Sequence, residues 1–145
     1  MSSELAFQLL SAAVLPWWAV WLAAPRSRWA QALAGHAGVF VALGLVYVGL
    51  GTAAVVVEGV QGFAFDDLRA LIGRPIGFLA GWTHYLAFDL FVGAWILREA
   101  ARLEVEPRPY LFLTLMAGPL GLLSFLVRRT LRLRDAAQLG RADLA

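Results

Sequence analysis

The 145-residue sequence contains no cysteine and no lysine, and only two histidines. Without cysteine there are no disulfides, thiolate metal sites or cysteine nucleophiles. Also missing are a glycine-rich strand-to-helix fingerprint, a P-loop lysine and a GxSxG elbow, which sets aside the enzyme classes built on them. The histidines are too few for clustered di-iron ligands. A site combining His36, Glu58, His84 and Asp89 has no supporting spacing, so no metal and no cofactor is expected. Charge is scarce at 15%, and no soluble module is present that would hold nucleic acid.

What the chain has in abundance is hydrocarbon. At 61% hydrophobic, it has too little polar surface to cover a soluble core of this length, and its natural solvent is lipid. The length suggests a single domain. The expected fold is an all-α membrane protein of four transmembrane helices, with a short interfacial helix between the second and third.

The first span covers about residues 5–24, which is roughly 30 Å of helix. The leading MSSEL carries no positive charge and Pro25 follows the Ala-Ala pair, so the segment reads as a span rather than a signal peptide. Pro16 kinks it, and Trp17, Trp18, Trp21 and Trp29 read as interfacial anchors, Trp17 and Trp18 lying deeper. A short turn at Pro25–Arg28 predicts an antiparallel second span over about residues 32–57. Gly38, Ala42, Leu45, Gly49 and Ala53 form a small-residue stripe on it that another backbone could approach. His36 sits near its entrance as an interfacial histidine, and Glu58 at its far end meets water. Between Gly59 and Arg74, Phe63, Phe65, Leu68, Leu71 and Ile72 oppose Asp66, Asp67 and Arg69. This predicts an interfacial helix beginning near Asp66, which could cap it.

The third span, about residues 76–97, is the one around which the rest is arranged, because it carries His84 and Asp89 near its middle. A carboxylate in the hydrocarbon core costs at least ~2.5 kcal/mol, and such groups mark functional sites by default. Gly73, Gly77 and Gly81 fall four apart, a small-xxx-small pattern. On a helical wheel Trp82, Tyr85, Asp89, Gly93 and Ile96 form one stripe, and His84, Phe88, Phe91, Trp95 and Arg98 another. Five residues separate His84 from Asp89, about 140° of rotation, so the two do not pair along one face. Asp89 is either functional or a polar contact to Thr114 of the last span. The mixed charges of residues 98–108 read as solvated surface. The fourth span, about residues 110–127, contains Thr114 and a Gly118-Pro119-Leu120-Gly121 break that bends the helix.

Arg128, Arg129, Arg132 and Arg134 follow at once in a basic tail over residues 128–145. With four spans they place both termini in the cytoplasm. Alanine- and arginine-rich usage points to a bacterial inner membrane.

The run AGWTHYLAFDLFVGAW (residues 80–95) follows the connector GFAFDDLRALI and precedes MAGPLGLLSFLVRR (residues 116–129). Together they resemble the abscisic-acid-deficient-type membrane family, whose plant and algal members convert violaxanthin to neoxanthin. The resemblance extends in layout over residues 5–129 and rests on Trp82, His84, Asp89, Gly93, Gly118, Pro119 and Gly121. It implies a hydrophobic carotenoid or isoprenoid ligand held among membrane lipid, and an isomerisation that formally needs no redox cofactor. An acid to protonate an epoxide oxygen and a base to take a carbon-bound proton would suffice, with Asp89 as acid and His84 as base. Trp82, Tyr85, Phe88, Gly93, Thr114, Gly118 and Pro119 are the candidate ligand-binding residues. Two other functions stay open, a non-catalytic pigment or lipid binder and a small proton-linked transport or sensing protein. A homo-oligomer is also open.

Overall fold

A computed structural model of the chain describes residues 2–59, 62 and 64–142, without side chains over 136–142. Phe63 of the expected interfacial helix and the last residues of the basic tail lie outside the described residues. The chain forms α1 (Ser3–Ala23), α2 (Arg28–Gly35), α3 (Gly38–Ala53), a π-helical turn (Ala54–Gly59), α4 (Phe65–Ile72), α5 (Pro75–Arg102) and α6 (Arg108–Ala142). Among the described residues there is no strand. Residues divide into two compact units, Met1–Pro16 with His36–Phe91, and Trp17–Gly35 with Val92–Ala145.

Among the described residues, three helical stretches are long and apolar enough to cross a membrane: Ser3–Ala23, Arg28–Gly59 and Arg108–Asp135. The 28 residues of α5 are about 42 Å long, ample for a crossing, but Thr83, His84 and Asp89 dilute its apolar character.

The expected second span is interrupted. It begins as α2, breaks at His36 and Ala37, and resumes as α3. His36 Nδ1 accepts the backbone N–H of Gly38 at 3.0 Å, satisfying one donor that the start of α3 leaves free. After α3 the helix widens into the π-helical turn and stops at Gly59, whose φ of 73° a side chain would resist. Glu58, expected simply to meet water, instead accepts the N–H groups of Ile76 and Gly77, both at 2.9 Å. A carboxylate thus sits on the N-terminus of α5, where unpaired donors and the helix dipole favour negative charge. Arg74 Nη1 donates to the Gly59 carbonyl beside it at 2.9 Å.

The amphipathic α4 lies where the charge pattern predicts, with Phe65 and Ile72 exposed. Its carboxylate contact is made by Asp67 rather than Asp66: Asp67 Oδ2 accepts the Ala64 N–H at 3.2 Å. The three spaced glycines differ in the room around them. A Cβ on Gly77 would strike the Leu71 carbonyl in the last turn of α4, whereas Gly81 faces open space. The small-residue stripe of α3 is likewise open at Gly49, and Leu45 is exposed.

The second unit has an aromatic core. Trp18 and Trp21 are buried and meet edge to face at 5.6 Å, so they pack rather than anchor at an interface, while Trp29 stays exposed. Phe125 is buried between Trp95 and Tyr110, with ring centroids at 5.4 and 5.3 Å. The buried indole N–H of Trp21 has no hydrogen-bond partner, but the charged groups around this core are paired. Arg108 donates from Nε to Leu22 O at 2.9 Å and from Nη2 to Ala23 O at 3.1 Å, capping the C-terminus of α1 with a cation. Glu99, read as solvated, is only 11% exposed in its side chain and receives Arg129 Nε at 2.8 Å and Arg102 Nη1 at 3.3 Å. The helix is continuous through this region because α5 runs on to Arg102, burying a position that sequence alone assigns to a loop. In α6 the helical path breaks at Ala117 (φ −157°, ψ 78°), two residues before Pro119. Proline removes an N–H and disfavours helical geometry at the residue before it. The fold-back brings Gly121 against Thr114, where a Cβ would strike the threonine side chain and backbone.

Candidate functional site

In the first unit α3 and α5 meet antiparallel along matched side chains. Phe40 lies edge to face with Phe91 at 5.8 Å, and Tyr47 meets His84 at 5.5 Å. Each pair of contacts is separated by seven residues, which is about 10 Å along a helix. Between them lies a groove of about 480 Å³ lined by Phe40, Gly44, Tyr47, His84, Ala87, Phe88 and Phe91. Gly44 leaves open space that a side chain would fill. The His84 ring stacks on Phe88 at 4.5 Å, which orients the imidazole along the groove wall.

The groove therefore has a chemical direction. Five of its lining residues are apolar, and the polar side chains, Tyr47 and His84, stand together at one end. A cleft of this shape suits an elongated apolar molecule with one hydrogen-bonding group. The imidazole can donate or accept, and can also move a proton.

Asp89 is elsewhere. It does not line this groove and shares the other stripe of α5 with Tyr85, one turn before it. On that stripe Trp82 stacks on Tyr85 at 5.6 Å, packs against Phe7 at 5.0 Å, and donates its indole N–H to Ser11 Oγ at 3.0 Å. Trp82 thus fastens α1 to α5 within the first unit. The separation expected from the wheel is present, and the groove brings together His84 and Phe88 but not Asp89, Trp82 or Tyr85.

The remaining expected ligand contacts belong to the second unit, and each has a local structural role. Gly93 is buried under indoles: a Cβ there would lie 2.7 Å from Trp18 Cη2 and 3.2 Å from Trp21 Cζ3. Thr114 is buried and donates its hydroxyl to Tyr110 O at 2.8 Å. Gly118 and Pro119 belong to the bend in α6. No group of three or more acidic or histidine side chains suited to a metal ion occurs among the described residues.

Phe40, Gly44 and Tyr47 were not singled out from the sequence. Their spacing of i, i+4, i+7 places them on one face of α3 and is the available signal. In an all-apolar segment every face is hydrophobic, so no polar contrast draws attention to that one.

Helices of this length and apolarity fit an all-helical membrane protein, and α3 and α5 carry an aromatic groove. The chain belongs to the ABA DEFICIENT 4-like family, whose model matches residues 5–125. Neither a curated protein nor a solved structure matches it.

Proposed function

We propose that this protein binds a carotenoid or related isoprenoid within the bilayer and isomerises it by acid/base chemistry, with His84 as the base. The observation that carries this reading is the aromatic groove with an imidazole at one end. Family membership supports the substrate class. The reaction balances without an oxidant or reductant where the oxygen function is an epoxide: one C–O bond of the ring opens, the oxygen stays on the molecule as a hydroxyl, and the proton it gains matches the one that His84 takes from the adjoining carbon. We further propose that α5 is a fourth span beside the three apolar ones, that both termini are cytoplasmic, and that the membrane is bacterial. The 28-residue length of α5 and the arginines after the last span support this layout.

Asp89, the acid assigned from the sequence, stands off the groove, and this favours a second reading in which the protein retains a pigment or lipid without turning it over. Expression in a carotenoid-producing host separates the two. A new pigment that vanishes with His84→Ala, in protein that still folds, is the result expected for the enzyme. An unchanged pigment pool with carotenoid co-purifying selects the binder. Neither new nor bound pigment sinks both.

A further inference from the structure

We propose that Tyr47 is a specificity-determining residue: its hydroxyl and the His84 imidazole together seat one small, uncharged oxygen function of an otherwise apolar ligand. The inference rests on the groove being the ligand site, as proposed above. Among the lining residues Tyr47 and His84 have the polar side chains, and their rings lie 5.5 Å apart at the same end. The opposite end, closed by Phe40 and Phe91, offers only hydrocarbon. A ligand that fills the groove must therefore be polar at one end of the bound segment and apolar at the other.

Depth decides what that polar end can be. Tyr47 lies near the middle of the apolar Arg28–Gly59 stretch, far from either water boundary of a crossing helix. A phosphate or carboxylate at that depth is strongly disfavoured, and neither an arginine nor a helix terminus lines the groove to compensate it. A hydroxyl, carbonyl or ether needs only a donor or an acceptor. A phenol and an imidazole supply both, and in hydrocarbon the alternative is an unpaired polar group. An intact phospholipid fails on the same ground, since its charged headgroup would be drawn from the interface.

The test uses the full chain in nanodiscs with three radiolabelled probes of one carbon skeleton: farnesol, farnesene and farnesyl phosphate. Empty nanodiscs correct for partitioning into lipid. Wild-type protein should bind farnesol at least threefold more tightly than farnesene and about tenfold more tightly than farnesyl phosphate. Tyr47→Phe, which removes one oxygen and keeps the ring, should weaken farnesol about threefold to tenfold and leave farnesene within twofold. Equal loss for both probes, or no loss for either, overturns the role of Tyr47. So does wild-type protein that binds farnesene or farnesyl phosphate as well as farnesol. If wild-type protein binds none of the probes, the groove itself is not the ligand site and both readings fall together. Should Tyr47→Phe not fold, imidazole NMR of the unsubstituted chain decides: farnesol must shift the His84 resonance and leave His36 unmoved, and farnesene must not reproduce that shift.

Discussion

At the scale of single residues, glycines in this chain do different work that their spacing does not reveal. Gly93 is buried beneath two indoles, and a methyl group there would enter rings that have no free space to move into. Gly93→Ala should lower stability by about 1–3 kcal/mol, the usual range for overpacking. Gly81 lies on the same helix, is exposed and meets nothing within 4 Å. Gly81→Ala should be neutral or stabilising by up to about 1 kcal/mol, because alanine restricts the unfolded chain and favours helix. Thermal unfolding of both variants in one detergent compares them directly, and equal melting temperatures would contradict the assignment. The arginines after the last span are similarly unequal. Arg129 is held by Glu99 at 2.8 Å, whereas Arg128 is exposed with no salt bridge among the described residues. Both substitutions by alanine remove a charge, but only Arg129→Ala strips a nearly buried carboxylate of its closest partner. It should be the more destabilising by about 1–3 kcal/mol.

At the scale of elements, the start of α5 is set by a residue far back in the chain. Glu58 places both carboxylate oxygens on the N–H groups of Ile76 and Gly77, while Arg74 ties the same corner to Gly59. The π-helical turn delivers Glu58 to that position, and α5 then carries His84 to the groove. Glu58→Ala should free those two amides and cost about 1–2 kcal/mol, as loss of an N-terminal cap does. Glu58→Gln retains one acceptor and should cost less. Amide hydrogen exchange at Ile76 and Gly77 reports this locally: protection lost in the alanine variant, and partly kept in the glutamine variant. Unchanged exchange would mean that the contact does not hold the helix start.

At the scale of the whole molecule, the number of crossings decides where the termini lie. Three apolar stretches alone would put them on opposite faces, and α5 as a fourth would return them to the same one. The chain has no cysteine, so Ser2→Cys and Asp135→Cys each introduce a single thiol without background. With four crossings and cytoplasmic termini, an impermeant maleimide added to intact cells should label neither, and both should react once the membrane is opened. Labelling of just one from outside would establish an odd number of crossings and exclude α5 as a span.

Much of this architecture is legible in composition and periodicity, because lipid leaves few alternatives. A chain this apolar must satisfy its backbone internally, so helices follow, and charged or proline-containing turns mark where they stop. The two stripes of α5 and the separation of His84 from Asp89 follow from 100° per residue and need no partner helix. The clasp of Glu58 on α5, the burial of Glu99 and the packing of Trp18 and Trp21 on Gly93 are different in kind. Each joins groups whose meeting depends on how the chain turns back on itself, and local pattern carries no record of that. The groove belongs to this second class. Tyr47 and His84 are 37 positions apart, and only the antiparallel register of α3 against α5 brings the phenol and the imidazole to one end of the same cleft.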